Sequence, residues 1–294
     1  MHKPLYLNSI HLIKVFMTNR SYYSIRTGKN PYSSKIELPI LLRLFHDLFL
    51  TFWNKDYFQE TFGYYCVDAG DVQGTLGSDI EAQMFLIFRK SNLWPIESKC
   101  LNYSEDDLFD IIEFIYDSIS KPIDGWYHDY SSCGWHYTKF DRNTGREEFR
   151  SQVNILLRDY LDGFELSENG EILASIEDGL DDLVKEQLVE YDPKNIDSRI
   201  ESAKLKFRRY RSSQEEKRDA IRDLADVMEF LRPQIEKVLS SKDENDLFSI
   251  ANSFGIRHHN DKQKTDYDRS IWYNWMFYYY LATIHTIIKL IKNK

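Results

Sequence analysis

The chain has 294 residues, a net charge of −9 at neutral pH and 15% aromatic side chains. That length holds one large domain or two ordinary ones. The aromatic content is enough for a sizeable core and excludes long disorder, while the acidic excess excludes a uniformly basic nucleic-acid surface but not a local basic face. Cys66, Cys100 and Cys133 are odd in number and widely spaced. They imply no disulfide framework and point to a cytoplasmic, reducing setting. Met1 to Phe16 is broken by Asn8, His11 and Lys14, so it lacks the continuous apolar stretch of a signal peptide.

In chain order, Leu41, Leu44, Phe45, Leu48, Phe49 and Phe52 recur at helical spacing and predict a helix over 38–52. Phe62 to Val67 reads as a short strand, and Gly70, Gly74 and Gly77 as a loop. Ser78 and Glu81 form a capping-box pattern for the next helix. A glycine loop before a helix invites a phosphate site, but the Lys-Ser/Thr ending of a P-loop is absent. Ser104 and the acids after it predict another helix start, with Leu108, Ile111, Ile112, Ile115 and Ile119 inward and Pro122 as the stop.

Residues 125–145 read as an aromatic-rich loop carrying His128, Cys133 and His136. Those three are zinc-type ligands, but their spacing matches no common finger and no fourth ligand is evident. The sequence therefore assigns no metal and no cofactor. A helix over 147–161 follows, and Asn169-Gly170 predicts a hairpin within 164–173. Another helix is expected from Ser175, in a stretch, 162–192, with eleven acidic side chains and one basic. Tyr191-Asp-Pro193 marks a boundary. The expected architecture is mainly α, with an α+β N-terminal region (1–192) containing a short β-hairpin, then a C-terminal helical bundle (193–294).

Charge reverses across that boundary, with nine basic against four acidic residues over 199–222. Lys204, Lys206, Arg208, Arg209 and Arg211 are candidate phosphate contacts, with Phe207 and Tyr210 available to stack on bases. The plainer alternative is a solvated helix face. A long helix over 214–239 contains Pro233, which predicts a kink or a break. A shorter helix ending near Phe254 follows, and an apolar helix closes the chain. The run from Trp275 to Ile288 is shorter than a membrane span needs and carries His285, so it reads as a buried helix at a dimer seam.

Between those last two helices lies Arg257-His258-His259-Asn260. Histidine can donate or accept a proton near neutral pH, and a guanidinium can grip a phosphate bidentately. The helical C-terminal hundred or so residues with this cluster resemble HEPN domains (higher eukaryotes and prokaryotes nucleotide-binding) of the abortive-infection and toxin type. The Arg–His gap is shorter here than that family usually shows. The resemblance implies a homodimeric bundle that cleaves RNA without metal, with Arg257, His258, His259 and Asn260 at the site. The alternatives are a non-catalytic nucleic-acid or nucleotide-binding module and a dimeric scaffold or sensor. Arg257 capping a helix end and a histidine satisfied in the core account for the same residues without catalysis.

Overall fold

The computed structural model describes residues 22–30, 35–175, 180, 183–184, 191–254, 256 and 267–292. The chain is mainly α-helical and divides into two compact units, Met1–Ile172 and Leu173–Lys294. The sequence placed this division at 192/193. It falls instead within the second strand of the predicted hairpin. Nearly all of the helix expected after Ser175 and the whole Arg257–Asn260 cluster lie outside the described residues.

The first unit is built on α1 (Leu38–Trp53), whose Leu41, Phe45, Leu48, Phe49 and Phe52 are buried at the predicted spacing. A short turn, Gln59–Phe62, leads into β1 (Tyr64–Cys66) and β2 (Gly70–Val72), paired antiparallel with Cys66 opposite Gly70. The expected glycine loop is therefore partly strand. Gly63 is required there, because a Cβ on it would sit 2.0 Å from the Val72 carbonyl oxygen.

Helix α2 (Ile80–Phe88) is capped by Asp79, which accepts from the Ala82 N–H, rather than by Ser78. The Glu81 carboxylate is drawn off to accept from the Asn92 and Trp94 amides. Helix α3 (Glu105–Ser118) has a full capping box between Ser104 and Asp107, and its Leu108, Ile111, Ile112 and Ile115 are sealed. It ends before Pro122, which stands in β3 (Lys121–His128).

That strand overturns the loop expected over 125–145. It pairs antiparallel with β4 (Gly134–Asp141), and Gly145 lies in the next helix, α4 (Arg142–Arg158), capped by Asp141. The aromatic residues hid the strands because both faces of the hairpin carry them, so the period-2 signal is lost. Gln59 anchors β4 from the side: its Nε2 donates to the Trp135 carbonyl and its Oε1 accepts from the Tyr137 N–H. Phe149 of α4 meets Phe52 edge-on, with ring centroids 5.6 Å apart. The hairpin of β5 (Phe164–Leu166) and β6 (Ile172–Ala174) forms where Asn169-Gly170 places it, but of that pair only Gly170 has positive φ, +85°, so the turn is not the type I′ such a pair favours.

The second unit has four helices among the described residues: α5 (Ser198–Arg208), α6 (Gln214–Ile235), α7 (Ser241–Ser253) and α8 (Arg269–Lys292). Ile200, Ala203 and Phe207 pack with Ile221, Leu224 and Leu231 and with Met276, Phe277, Tyr280 and Ile284 in one core. Helix α6 runs on through Pro233 and stops at Ile235. His285 is buried, as expected, while Ile271 and Trp275 are exposed. Among the described residues no helix is long and apolar enough to cross a membrane.

Candidate metal centre

The two N-terminal hairpins bring Cys66, His128, Cys133 and His136 together, with one ligand atom from each within 4.8 Å of all the others. Cys66 ends β1, at the lip of the turn into β2. His128 ends β3, directly opposite Gly134, and His136 stands two residues further along β4, opposite Trp126. In an antiparallel pair these positions share a face, so strand pleating alone aims both imidazoles the same way.

Cys133 arrives by a tighter device. The connection from β3 to β4 is one 3₁₀ turn, Tyr130–Ser132, with Ser131 and Ser132 at φ +52° and +55°, followed by Gly134 at φ +110°. Left-handed conformations at two non-glycine residues cost energy and persist only where surroundings enforce them. Here they fold the chain back so that the Cys133 thiol lies 3.2 Å from His136 Nε2. The Cys66 sulfur lies 3.7 Å from His128 Nδ1. A tetrahedral zinc with bonds of about 2.3 Å to sulfur and 2.0–2.1 Å to nitrogen sets its ligand atoms roughly 3.3–3.8 Å apart. The two thiol–imidazole separations therefore fit the edges of such a tetrahedron to within a few tenths of an ångström.

The protonation chemistry agrees. Burial, and then the neighbouring His128, hold His136 below the ordinary histidine range, so its ring is neutral and its lone pair free for a cation. None of the three cysteines is tied up in a disulfide. Trp126 stands against His136 at 4.5 Å between centroids and Tyr64 at 4.4 Å, which walls the cluster with apolar rings. With four protein ligands available, no coordination position is left for a substrate, as in structural rather than catalytic zinc sites.

Three of these residues stand as a group in the sequence, which lacks an evident fourth ligand beside them. Cys66 supplies it from 62 residues before His128. No local spacing rule spans that separation. The usable signal was a cysteine closing a short strand.

The basic candidates are distributed differently from a phosphate-binding stripe. Lys204 is buried and pairs with Glu201 at 2.8 Å, and Lys206 pairs with Asp223 at 2.6 Å. Arg208 is buried and donates to the Ala174 carbonyl. Phe207, expected to stack on bases, is stacked instead on Phe277, 4.0 Å between centroids. Arg209 and Arg211 are exposed, the latter over the Tyr210 ring. Position in the helix explains the difference: 200, 203, 204, 207 and 208 share the face that packs on the core. Arg257, His258, His259 and Asn260 are outside the described residues.

What the geometry defines is a cluster of two cysteines and two histidines, drawn from two β-hairpins of a mainly α-helical protein and spaced so that it could hold a metal ion. Compared with known families, characterised proteins and solved structures, the chain matches none.

Proposed function

We propose that the N-terminal unit is a zinc-binding module in which Cys66, His128, Cys133 and His136 hold one Zn²⁺ in a structural site. The observation that carries this reading is the convergence of four soft or borderline donors from two separate hairpins. Sulfur and imidazole together favour zinc over magnesium or calcium, which take oxygen ligands. The metal would tie the β1–β2 turn to the end of the β3–β4 hairpin, work that neither short hairpin can do by its own hydrogen bonds. The test is metal analysis of protein purified without chelator, with Co²⁺ substitution as the probe of ligand type. One equivalent of zinc is expected, together with thiolate-to-cobalt charge-transfer bands that Cys66→Ser and Cys133→Ser each weaken. A chain that takes up no zinc or cobalt refutes the reading.

For the C-terminal unit, the HEPN resemblance supports a separate proposal: an anti-phage or toxin-type protein, dimeric and cytoplasmic, that cleaves RNA through Arg257 and His259 with His258 and Asn260 alongside. A helical bundle of four described helices is compatible with it. Purified protein incubated with total RNA and EDTA should cleave, and Arg257→Ala should not. Equal products from both proteins, or none from either, dismiss it.

A further inference from the structure

The proposed zinc site has a fifth participant that is not a ligand. We propose that Asp68 is the positioning residue of the metal centre, fixing the ring of His128 so that Nδ1, not Nε2, faces the cation. The inference rests on the zinc reading for its consequence but not for its geometry.

His128 uses its two nitrogens in opposite directions. Nδ1 points to the Cys66 sulfur at 3.7 Å, inside the cluster. Nε2 lies 3.2 Å from Asp68 Oδ2, outside it. A neutral imidazole has one N–H and one lone pair. A carboxylate offers only acceptor oxygens, so at that distance it favours hydrogen on Nε2 and the lone pair on Nδ1. That lone pair is the one a metal among Cys66, Cys133 and His136 requires. A carboxylate against the outer nitrogen of a ligating histidine is a recurring arrangement in zinc sites, where it orients the ring and raises its basicity.

The sequence makes this economical. Cys66 ends β1 and Asp68 lies two residues on, in the turn into β2, whereas His128 belongs to the other hairpin. One hairpin thus supplies a ligand and also holds a ligand delivered by a distant strand. The tilted contact of Trp126 with His128, 5.2 Å between centroids, restrains the same ring from its own strand. The Asp68 side chain is 63% exposed while that of His128 is 14% exposed. Asp68 can therefore be replaced without opening a core cavity, and its role in orienting the ring separates from any role in packing.

The test has two readouts on the full-length chain. The first is zinc affinity by competition with a chromophoric chelator, for wild type, Asp68→Ala and Asp68→Asn. Loss of the carboxylate should weaken zinc binding by about 10- to 100-fold. Asparagine, whose amide oxygen still accepts from Nε2–H, should fall between wild type and alanine. The melting temperature of the metal-free protein should be the same in all three. The second readout is the tautomer of His128 in metal-free protein, from long-range ¹H–¹⁵N correlation. Wild type should show hydrogen on Nε2, and Asp68→Ala should show a mixture. Wild type without zinc but with the Nε2–H tautomer lost in Asp68→Ala overturns the metal reading and leaves the orienting contact standing. Unchanged affinity and unchanged tautomer in Asp68→Ala overturn the positioning role alone.

Discussion

Removing the metal should lower the stability of the N-terminal unit and leave the C-terminal unit untouched, because all four ligands lie within Met1–Ile172. The size of the effect follows from chain connectivity. Cys66 and His128 are separated by 62 residues. Closing a loop of that length in an unfolded chain costs about 4 kcal/mol. The folded unit has already met this cost through its hydrophobic core, so zinc binds the folded form in preference to the unfolded one by up to roughly that amount. With free zinc at about a hundred times its dissociation constant, the stabilisation is about 2.7 kcal/mol, inside that ceiling. For a unit of this size each kcal/mol moves the midpoint by about 2–4 °C, giving a shift of roughly 5–10 °C. The assay is differential scanning calorimetry with zinc and then with excess EDTA. Trp126, packed on both ligand histidines, gives a parallel fluorescence signal. Superimposable scans in zinc and EDTA, or a shift confined to a transition that proteolysis assigns to Leu173–Lys294, would refute the reasoning.

Phe207→Ala should cost about 3–5 kcal/mol of C-terminal stability, since the ring is buried and stacked on Phe277; a urea titration reads this, and a loss under 1 kcal/mol contradicts the packing. Gly145→Ala should destabilise by about 1–3 kcal/mol despite better helix propensity. Its Cβ would meet the Lys121 nitrogen at 2.7 Å and Ser120 Cα at 2.9 Å, backbone atoms that cannot swing aside; an unchanged urea midpoint would count against this contact. Cys100 is fully buried and its thiol is pushed up to about 12 by that burial. It should resist thiol reagents at neutral pH until the chain unfolds, which mass spectrometry of alkylated peptides can follow. Glu113 is raised, chiefly by burial, although it accepts from the Ile172 N–H. Its folded carboxyl thus binds a proton more readily than its unfolded one, so stability falls as pH rises from about 4.3 through the folded value. Glu113→Gln should therefore stabilise at pH 7 and lose that advantage near pH 4, as denaturation midpoints at the two pH values would show.

Helices were the legible part of this sequence. The 3- and 4-residue spacing of Leu41, Phe45, Leu48 and Phe52 records which face of α1 is dry, and the structure buries all four. Ser104 likewise marks a helix start through local hydrogen bonds that need only three residues of chain. Asn169-Gly170 fixed a hairpin for the same reason: turn chemistry is local. Environments built from distant segments leave no such local mark. Lys204 and Arg208 count as charge in a string, but their place on the inner face of α5 turns them toward the core, while Arg209 and Arg211 lie past the end of that helix and are exposed.

The same division runs through the metal centre. The order of residues determines that His128, Cys133 and His136 stand close along the chain. Only the tertiary structure decided that they are half of two hairpins, that both imidazoles share a face, and that Cys66 and Asp68 arrive from far upstream to complete the set. Side-chain type and local spacing are written residue by residue. Coordination geometry depends on the distance between segments, and packing of the whole unit fixes that distance.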